Sequence, residues 1–394
     1  MAVLLACLIV VTAGVAGVWA SRHAMIRRER KRGFLLTERA PGAPQPAPRI
    51  SVLVAAKDEE DCIEPCLRSL LAQDYGDFEL IVCNDRSSDA TPRIAERLAG
   101  EDGRLRLVNI EHLPPGWCGK NNAMQTGIAL SNGEWICMTD ADCRQLSTRT
   151  LSVAMRHALD SGADMLSVLP RLEMKTFWEN VVQPVCSGVM MIWFSPDKVN
   201  DPARPNAYAN GAFILIRRDA YQAVGTHEAV KDCLNEDMHM ARLAKRRGLK
   251  LLVVRSSGLY VVRMYTSLRR IVRGWSRIFF GTFGTLRRLS ISLAVILIMG
   301  LLPYGAAAAG LAGAAGGAQP AWAWRTLGGV ALAACTLQLA AIWRFYRLIG
   351  ARAGLFWTYP LGSAVAAWAL VLSLTKLRRG ASVVWKSTPY AKAP

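Results

Sequence analysis

Beyond Asp237 the chain has no aspartate or glutamate, although 22 of its 48 Lys+Arg fall there. Residues 1–237 hold the other 26 basic side chains and all 30 acidic ones, so the overall charge of +18 arises in the carboxyl-terminal part alone. The basic residues of that part surround and separate apolar segments. Such placement argues against a nucleic-acid partner and for an anionic membrane face. The ten cysteines lack zinc-type spacing. This excludes a zinc finger or ribbon and reads as buried, reduced thiols on the cytoplasmic side, with Cys118 and Cys143 flanking candidate site residues. No internal repeat is evident, which excludes a solenoid. No basic residue precedes the first apolar run, where a cleaved signal peptide carries its charge.

What is present is hydrophobic length. Ala2 to Ala20 is an uncharged run of 19 residues, about one bilayer span, and residues 22–32 follow it with six basic side chains. That order predicts a retained anchor over 1–21 with its carboxyl end in the cytoplasm of an integral inner- or plasma-membrane protein. A basic juxtamembrane segment, 22–48, includes a Pro/Ala linker at 40–48. Further spans are expected at about 289–312, 326–343 and 355–374, within a membrane region 289–374, with a basic tail over 375–394. Basic residues flank the last span on both sides, Arg344, Arg347 and Arg352 before it and Lys376, Arg378 and Arg379 after it. The positive-inside rule then wants both ends inside, so Pro360-Leu361-Gly362 either turns the segment back as a re-entrant hairpin or leaves it in the interface.

Between anchor and spans, residues 49–262 alternate strand and helix patterns. Strands are expected at Ile50 to Ala56, Phe78 to Cys83, Arg104 to Ile110 and Trp135 to Thr139. Helices are expected at Ile63 to Leu71, Thr91 to Leu98 and Asn122 to Leu130. Such alternation argues for a mainly parallel, Rossmann-like α/β sheet. Residues 263–288 turn basic, aromatic and amphipathic, which suits a helix on the membrane surface.

Each strand ends in a polar cluster, and successive strand ends of one sheet build one cleft. The first leads into Lys57-Asp58-Glu59-Glu60 and the second ends in Asn84-Asp85-Arg86-Ser87-Ser88-Asp89. The third is followed by Gly116-Trp117-Cys118-Gly119-Lys120-Asn121-Asn122, and the fourth runs into Asp140-Ala141-Asp142. Strand side chains at i and i+2 share a face, so Asp140 and Asp142 converge; the pair suits a hard divalent cation, or else belongs to a solvated turn. Later come Tyr208-Ala209-Asn210-Gly211 and Asn235-Glu236-Asp237, the second with the acids of a helix start.

This ordered set resembles the membrane-bound family 2 glycosyltransferases, which have the GT-A fold, over about residues 49–280. The resemblance implies that Asp58 or Glu59 and Asp85 line a nucleoside pocket, with Asp85 near the uracil, and that Lys120 neighbours the nucleotide. Asp140 and Asp142 would form the Asp-x-Asp motif for Mg2+ or Mn2+, bridging the phosphates of a UDP-sugar. Asn210 and Gly211 would lie near the sugar. Asp237, beside Glu236, would be the base that deprotonates the acceptor in an inverting displacement. His239 reads as a helix histidine without a metal role. The Gln/Arg-x-x-Arg-Trp motif of membrane-bound relatives is altered here to Arg270-Ile271-Val272-Arg273-Gly274-Trp275, which places Arg270, Arg273 and Trp275 near donor and acceptor but leaves their roles open. Val383 to Tyr390 resembles, loosely, a tail of glycosyltransferases that act on lipids. The nearest functional group is the ceramide glucosyltransferase-like branch, with hopanoid and carotenoid transferases beside it. A hexose, glucose above all, would move to a sphingolipid, hopanoid, carotenoid or glycerolipid. A processive polysaccharide synthase and a nucleotide-binding membrane scaffold are the rival readings.

Overall fold

A computed structural model describes residues 1–29, 34–377, 382–385 and 388–391. They form two compact units. One is built from residues 34–173, 192–264, 382–385 and 388–391, the other from residues 1–29, 174–191 and 265–377.

The first unit is α/β. Its strands are β1 (Leu35–Thr37), β2 (Ile50–Ala56), β3 (Phe78–Asp85), β4 (Leu105–Ile110), β5 (Trp135–Asp140), β6 (Cys143–Gln145), β7 (Met165–Leu169), β8 (Arg171–Leu172), β9 (Ile214–Arg217), β10 (Leu251–Ser257) and β11 (Tyr260–Val262). Eight of them make one sheet in the order β1-β10-β7-β9-β5-β2-β3-β4, parallel except for β9, which runs against β5 and β7. A smaller sheet has the order β6-β11-β8. The central strands are mostly apolar because both faces of the sheet are covered; Val52, Leu53 and Val54 of β2 are fully buried.

Helix α2 (Ile63–Leu71) covers one face with Ile63, Cys66, Leu67 and Leu70, a spacing of i, i+3, i+4 and i+7. Each fully buried leucine there contributes roughly 1.5–3 kcal/mol. The other helices of this unit are α3 (Thr91–Glu101), α4 (Gly119–Ala129), α5 (Thr150–Ser161), α7 (Pro196–Val199), α8 (Arg218–Ala223) and α9 (Glu236–Arg246), α6 (Phe177–Trp193) being counted below. The switch point lies between β2 and β5: the chain leaves β2 toward β3 on one side and leaves β5 toward β7 on the other. Ligands of open α/β sheets bind at such a crevice.

Two expectations change here. The Pro/Ala segment is no free linker, since Ala40, Ala43 and Ala47 pack on the core of the α/β unit and the preceding β1 pairs in parallel with β10. A three-residue strand is too short to announce itself by alternation. Helix α4 also begins three residues earlier than its apolar pattern, at Gly119, so Lys120 is in its first turn.

The second unit is helical: α1 (Ala2–Glu29), α6, α10 (Leu268–Phe283), α11 (Leu286–Ile296), α12 (Leu302–Ala315), α13 (Ala321–Ile349) and α14 (Tyr359–Thr375). Among the described residues four helical stretches are long and apolar enough to cross a membrane: Ala2–Ile26, Leu286–Ala315, Ala321–Ile349 and Ala353–Thr375. Between α11 and α12 a π-helical turn, Leu297–Leu301, precedes Pro303, which has no N–H to offer the Met299 carbonyl four residues back. The Trp19 indole and the Gln338 amide donate to that carbonyl at 3.1 and 2.5 Å. An apolar medium would leave such an oxygen unpaired, and the neighbouring helices supply the partners instead.

Three further expectations change in this unit. Helix α6 falls inside the range 49–262 assigned to the catalytic domain, yet it groups with the apolar helices: a Cβ at Gly362 of α14 would meet the Val181 carbonyl at 2.2 Å. Pro360 occupies the first turn of a continuous α14, where a missing N–H costs nothing, so no hairpin interrupts it. The apolar face of α10 does not await lipid. Ile271, Trp275, Phe279 and Phe283 are buried within the unit, and Ser373 of α14 donates to the Ser276 carbonyl at 2.8 Å. In the tail, Ser382–Trp385 and Thr388–Ala391 pair antiparallel. Lys386 and Ser387 of the tail motif, and Arg378 and Arg379, lie outside the described residues.

Candidate active site

The β2 and β3 ends are stitched together by side chains. Asp58 accepts from the Ser88 N–H at 2.8 Å and from its hydroxyl at 3.1 Å, and the Asp58 N–H donates to Ser87 Oγ at 3.0 Å. The Glu59 N–H donates to Thr91 Oγ1 at 2.8 Å. Asp58 and Arg86 both hold left-handed backbone, at φ 51° and 56°. Non-glycine residues adopt that region at a cost, commonly where a site demands it.

Asp85 is buried at the end of β3, with the Arg86 Nε 2.8 Å from its Oδ1. Its other oxygen faces the first turn of α4. A Cβ on Gly119 would lie 2.1 Å from Asp85 Oδ2, so only glycine lets the helix start approach that carboxylate. The α4 start is anchored from the far side: Asn121 Nδ2 donates to the carbonyls of Val230, Lys231 and Cys233, and the Cys118 N–H to that of Lys231. This clamp ties the Lys120 turn to the loop that leads into α9.

Antiparallel β9 accounts for the meeting of distant motifs. Because it runs backwards between β5 and β7, its amino-terminal turn lies at their carboxyl ends, beside Asp140. Thr139 Oγ1 donates to the Ala212 carbonyl at 2.8 Å, and Asn210 Oδ1 caps the turn by accepting from the Ala212 N–H at 3.0 Å. The Gly211 N–H then donates to Asp237 Oδ2 at 2.9 Å, while Asp237 Oδ1 accepts from the Met238 N–H at 2.7 Å. Lys120 spans the remaining distance. Its Nζ lies 2.6 Å from Asp140 Oδ1 and 2.7 Å from Glu236 Oε1.

Four carboxylates therefore surround one ammonium. Burial pushes the Asp142 carboxyl up to about 7, with Asp140 and Glu59 adding to the rise and Lys120 opposing it. Burial likewise raises Asp237 to about 7, together with Glu236, against the pull of Lys120 and of the Gly211 and Met238 N–H groups. For Lys120 burial acts downward, but Asp140, Glu236 and Asp237 outweigh it and hold the ammonium well above its ordinary value. Asp140 and Asp142 offer only hard oxygen donors, and the Asp142 charge is held beside two like charges. A divalent cation fits that donor set and would relieve the repulsion. Among the described residues no group of three or more His, Cys, Asp and Glu forms a protein-only metal site. A cation held by this pair would draw its other ligands from substrate or water.

Sequence reading missed some members of the site. His227 lines a cavity of about 10 Å³ behind Lys120, Glu236 and Asp237, together with Met124, Met138, Ile214 and Met240. Burial pushes His227 down to about 3, and its Nδ1 pairs with the Tyr221 hydroxyl at 2.8 Å, so it is neutral. Nothing in its sequence surroundings marks it. Tyr208 stacks on Phe194 at 5.6 Å and accepts from Asn210 Nδ2 at 3.3 Å. All ten cysteines are free thiols, six of them buried.

The altered motif lies in the helical unit, on α10. Arg270 and Arg273 are exposed. The Trp275 indole donates to Gln183 Oε1 of α6 at 2.6 Å within the buried helix contact. Gly274 has a local reason: a Cβ there would lie 2.1 Å from the ring of Tyr265, which crosses the helix at that point.

The mixed sheet with its acidic strand ends is a GT-A fold. Residues 51–225 match the model of glycosyl transferase family 2, the family that the sequence motifs resemble. A beta-monoglucosyldiacylglycerol synthase from Trichormus variabilis is 30% identical over 193 residues, 48% of this chain and 40% of that protein. A 4,4'-diaponeurosporenoate glycosyltransferase from Staphylococcus aureus is 23% identical over 230 residues, 58% of this chain and 60% of that protein. The match thus spans less than two thirds of either relative. Among solved structures, the mannosyltransferase PcManGT from Pyrobaculum calidifontis, in complex with GDP-Man and Mn2+, superposes with a TM-score of 0.54 at 20% identity, covering 95% of this chain and 98% of that one.

Proposed function

We propose that the protein is an inverting glycosyltransferase that moves a hexose, glucose above all, from a UDP-sugar to a hydroxyl of a membrane lipid. The observation that carries this reading is the cluster around Lys120: its ammonium joins Asp140 of the Asp140/Asp142 pair to Glu236, next to Asp237, which the Gly211 N–H orients. An inverting displacement needs a base on the acceptor side and positive charge on the diphosphate side, and this cluster supplies both kinds of group.

In this mechanism Asp237 accepts the proton of the acceptor hydroxyl as that oxygen bonds to the anomeric carbon. The bond from that carbon to the diphosphate breaks on the opposite face, and UDP departs with the electron pair. Asp237 can serve because its carboxyl, raised to about 7, matches the task at neutral pH. Asp140 and Asp142 would hold Mg2+ or Mn2+, which neutralises charge on the departing diphosphate. Lys120 adds a positive charge next to it. Asp58, Glu59 and Asp85 line the nucleoside end of the cleft, and Asn210 with Gly211 the sugar end. Arg270, Arg273 and Trp275 are assigned to the donor and acceptor region by resemblance.

The lipid acceptor is inferred from two lines. One relative is named for making a monoglucosyldiacylglycerol and the other for glycosylating 4,4'-diaponeurosporenoate, and among the described residues four helices are long and apolar enough to span a bilayer. The basic excess beyond Asp237 supports a catalytic unit on the cytoplasmic side of the inner or plasma membrane. The test is nucleotide release by the detergent-purified full chain, with a panel of UDP- and GDP-sugars, with and without Mn2+ or Mg2+, and with total membrane lipid. Metal-dependent UDP release that rises with lipid for one sugar is the expected result. Release that ignores lipid would remove the acceptor assignment, and release of GDP alone would remove the uridine donor.

A further inference from the structure

Lys120 makes two short ion pairs of nearly equal length, and their surroundings differ. The Glu236 side chain is 9% exposed and that of Lys120 15%, whereas that of Asp140 is 36% exposed. The lysine is thus enclosed on its Glu236 side and meets the cleft on its Asp140 side. Gly211 leaves it room, since a Cβ there would come within 3.0 Å of Nζ. The neighbouring carboxylate, Asp237, is engaged on both oxygens by backbone N–H groups of Gly211 and Met238. Glu236 is therefore the acidic group left for the ammonium whenever Asp140 is taken by something else.

A divalent cation on Asp140 and Asp142 would take Asp140 in that way. It would bring two positive charges to an oxygen that already carries an ammonium at 2.6 Å. Both cannot keep that oxygen at full strength, because like charges at such distances repel strongly in an enclosed site. A lysine has a flexible stem and three donors, so it can give up one partner if the second remains.

We propose that Lys120 is the resident counter-ion of Asp140 in the cation-free protein, and that Glu236 is a positioning residue that receives the ammonium when a divalent cation takes the Asp140/Asp142 pair. This rests on the reading of Asp140 and Asp142 as the cation ligands. In this scheme Lys120 competes with the cation for Asp140, and Glu236 weakens the competitor. The lysine then stays in the site as a second positive charge beside the diphosphate.

The test uses Mn2+ alone, without nucleotide, titrated onto the detergent-purified full chain and followed by the electron paramagnetic resonance signal of free Mn2+. Asp142→Ala should lose the bound Mn2+ seen with the wild type. Lys120→Met should bind Mn2+ more tightly, by roughly 5-fold or more, the low end of typical coupling between sites. Glu236→Gln should bind it more weakly by a similar factor, because the ammonium then has Asp140 as its sole close carboxylate partner. Lys120→Arg keeps the charge and should stay near the wild type. A gain in affinity is a result that damage to the fold does not produce, and near-ultraviolet circular dichroism checks each variant. If Asp142→Ala loses Mn2+ while Lys120→Met is unchanged or weaker, the competition is overturned and the cation site stands. If Asp142→Ala binds as the wild type does, or the wild type binds no Mn2+, the site reading fails and the proposal fails with it.

Discussion

The backbone N–H of Gly211 donates to Asp237 Oδ2 at 2.9 Å, joining a turn at the sheet's carboxyl edge to the first turn of α9. Together with the Met238 N–H on Oδ1, that bond fixes how the carboxylate is turned. It also ties the proposed base to the residue beside Asp140 rather than to its own helix alone.

Asp237→Asn keeps the shape, but its amide oxygen can accept from only one of the Gly211 and Met238 N–H groups, and it removes the proton acceptor. Turnover should fall by about 10²–10⁴-fold, the usual contribution of general-base catalysis, while donor binding is retained. Single-turnover transfer, with nucleotide affinity measured in parallel, checks both halves. Normal turnover by the variant would remove Asp237 as the base.

The pH profile follows from the raised Asp237 carboxyl at about 7. A base must be ionised to accept a proton, so transfer should be full above neutrality and decline by about tenfold per pH unit below about 7. Saturating metal keeps the Asp142 equilibrium out of the measurement. An acid limb with a midpoint in the ordinary carboxylate range, near 4, would contradict the burial that causes the shift.

Asp142→Ala should abolish metal-dependent donor binding, because Asp140 alone supplies one carboxylate where the site offers two. Calorimetric titration of the UDP-sugar with and without Mn2+ measures it. Unchanged affinity and activity would remove the metal assignment.

Gly119→Ala tests the packing around Asp85. The added carbon would meet Asp85 Oδ2 at 2.1 Å, so the carboxylate or the α4 start must move. Overpacking of this kind typically costs about 1–3 kcal/mol. A lower thermal midpoint in detergent together with a raised donor KM is expected; a rise in KM without loss of stability would show that the carboxylate had moved and the helix had not.

Much of the α/β unit can be read from pattern alone. The spacing of Ile63, Cys66, Leu67 and Leu70 sets α2 at the bounds the structure has, and the four apolar runs from Ile50 to Thr139 are all strands of one parallel set. Polar clusters at their ends mark the cleft because strand ends in such a sheet share one edge. The Lys120–Glu236 pair is of another kind. Its members lie far apart in sequence and meet only through the reversed strand β9 and the Asn121 clamp, neither of which leaves a periodic trace. Likewise α6, an apolar run with Pro184 inside it, reads equally well as a core helix of the α/β unit. Only its partners α10 and α14, much later in the chain, distinguish the two.

That partnership bears on how the protein is made and on what can be cut from it. The chain leaves the α/β unit for α6, returns to finish the sheet with β9 and β10, and only much later supplies α14. During synthesis α6 must wait, apolar side uncovered, until α10 and then α14 emerge. A version ended before α10 would carry a complete sheet and an orphaned α6, so removing the carboxyl-terminal helices should yield a protein that clumps or clings to detergent rather than a soluble enzyme.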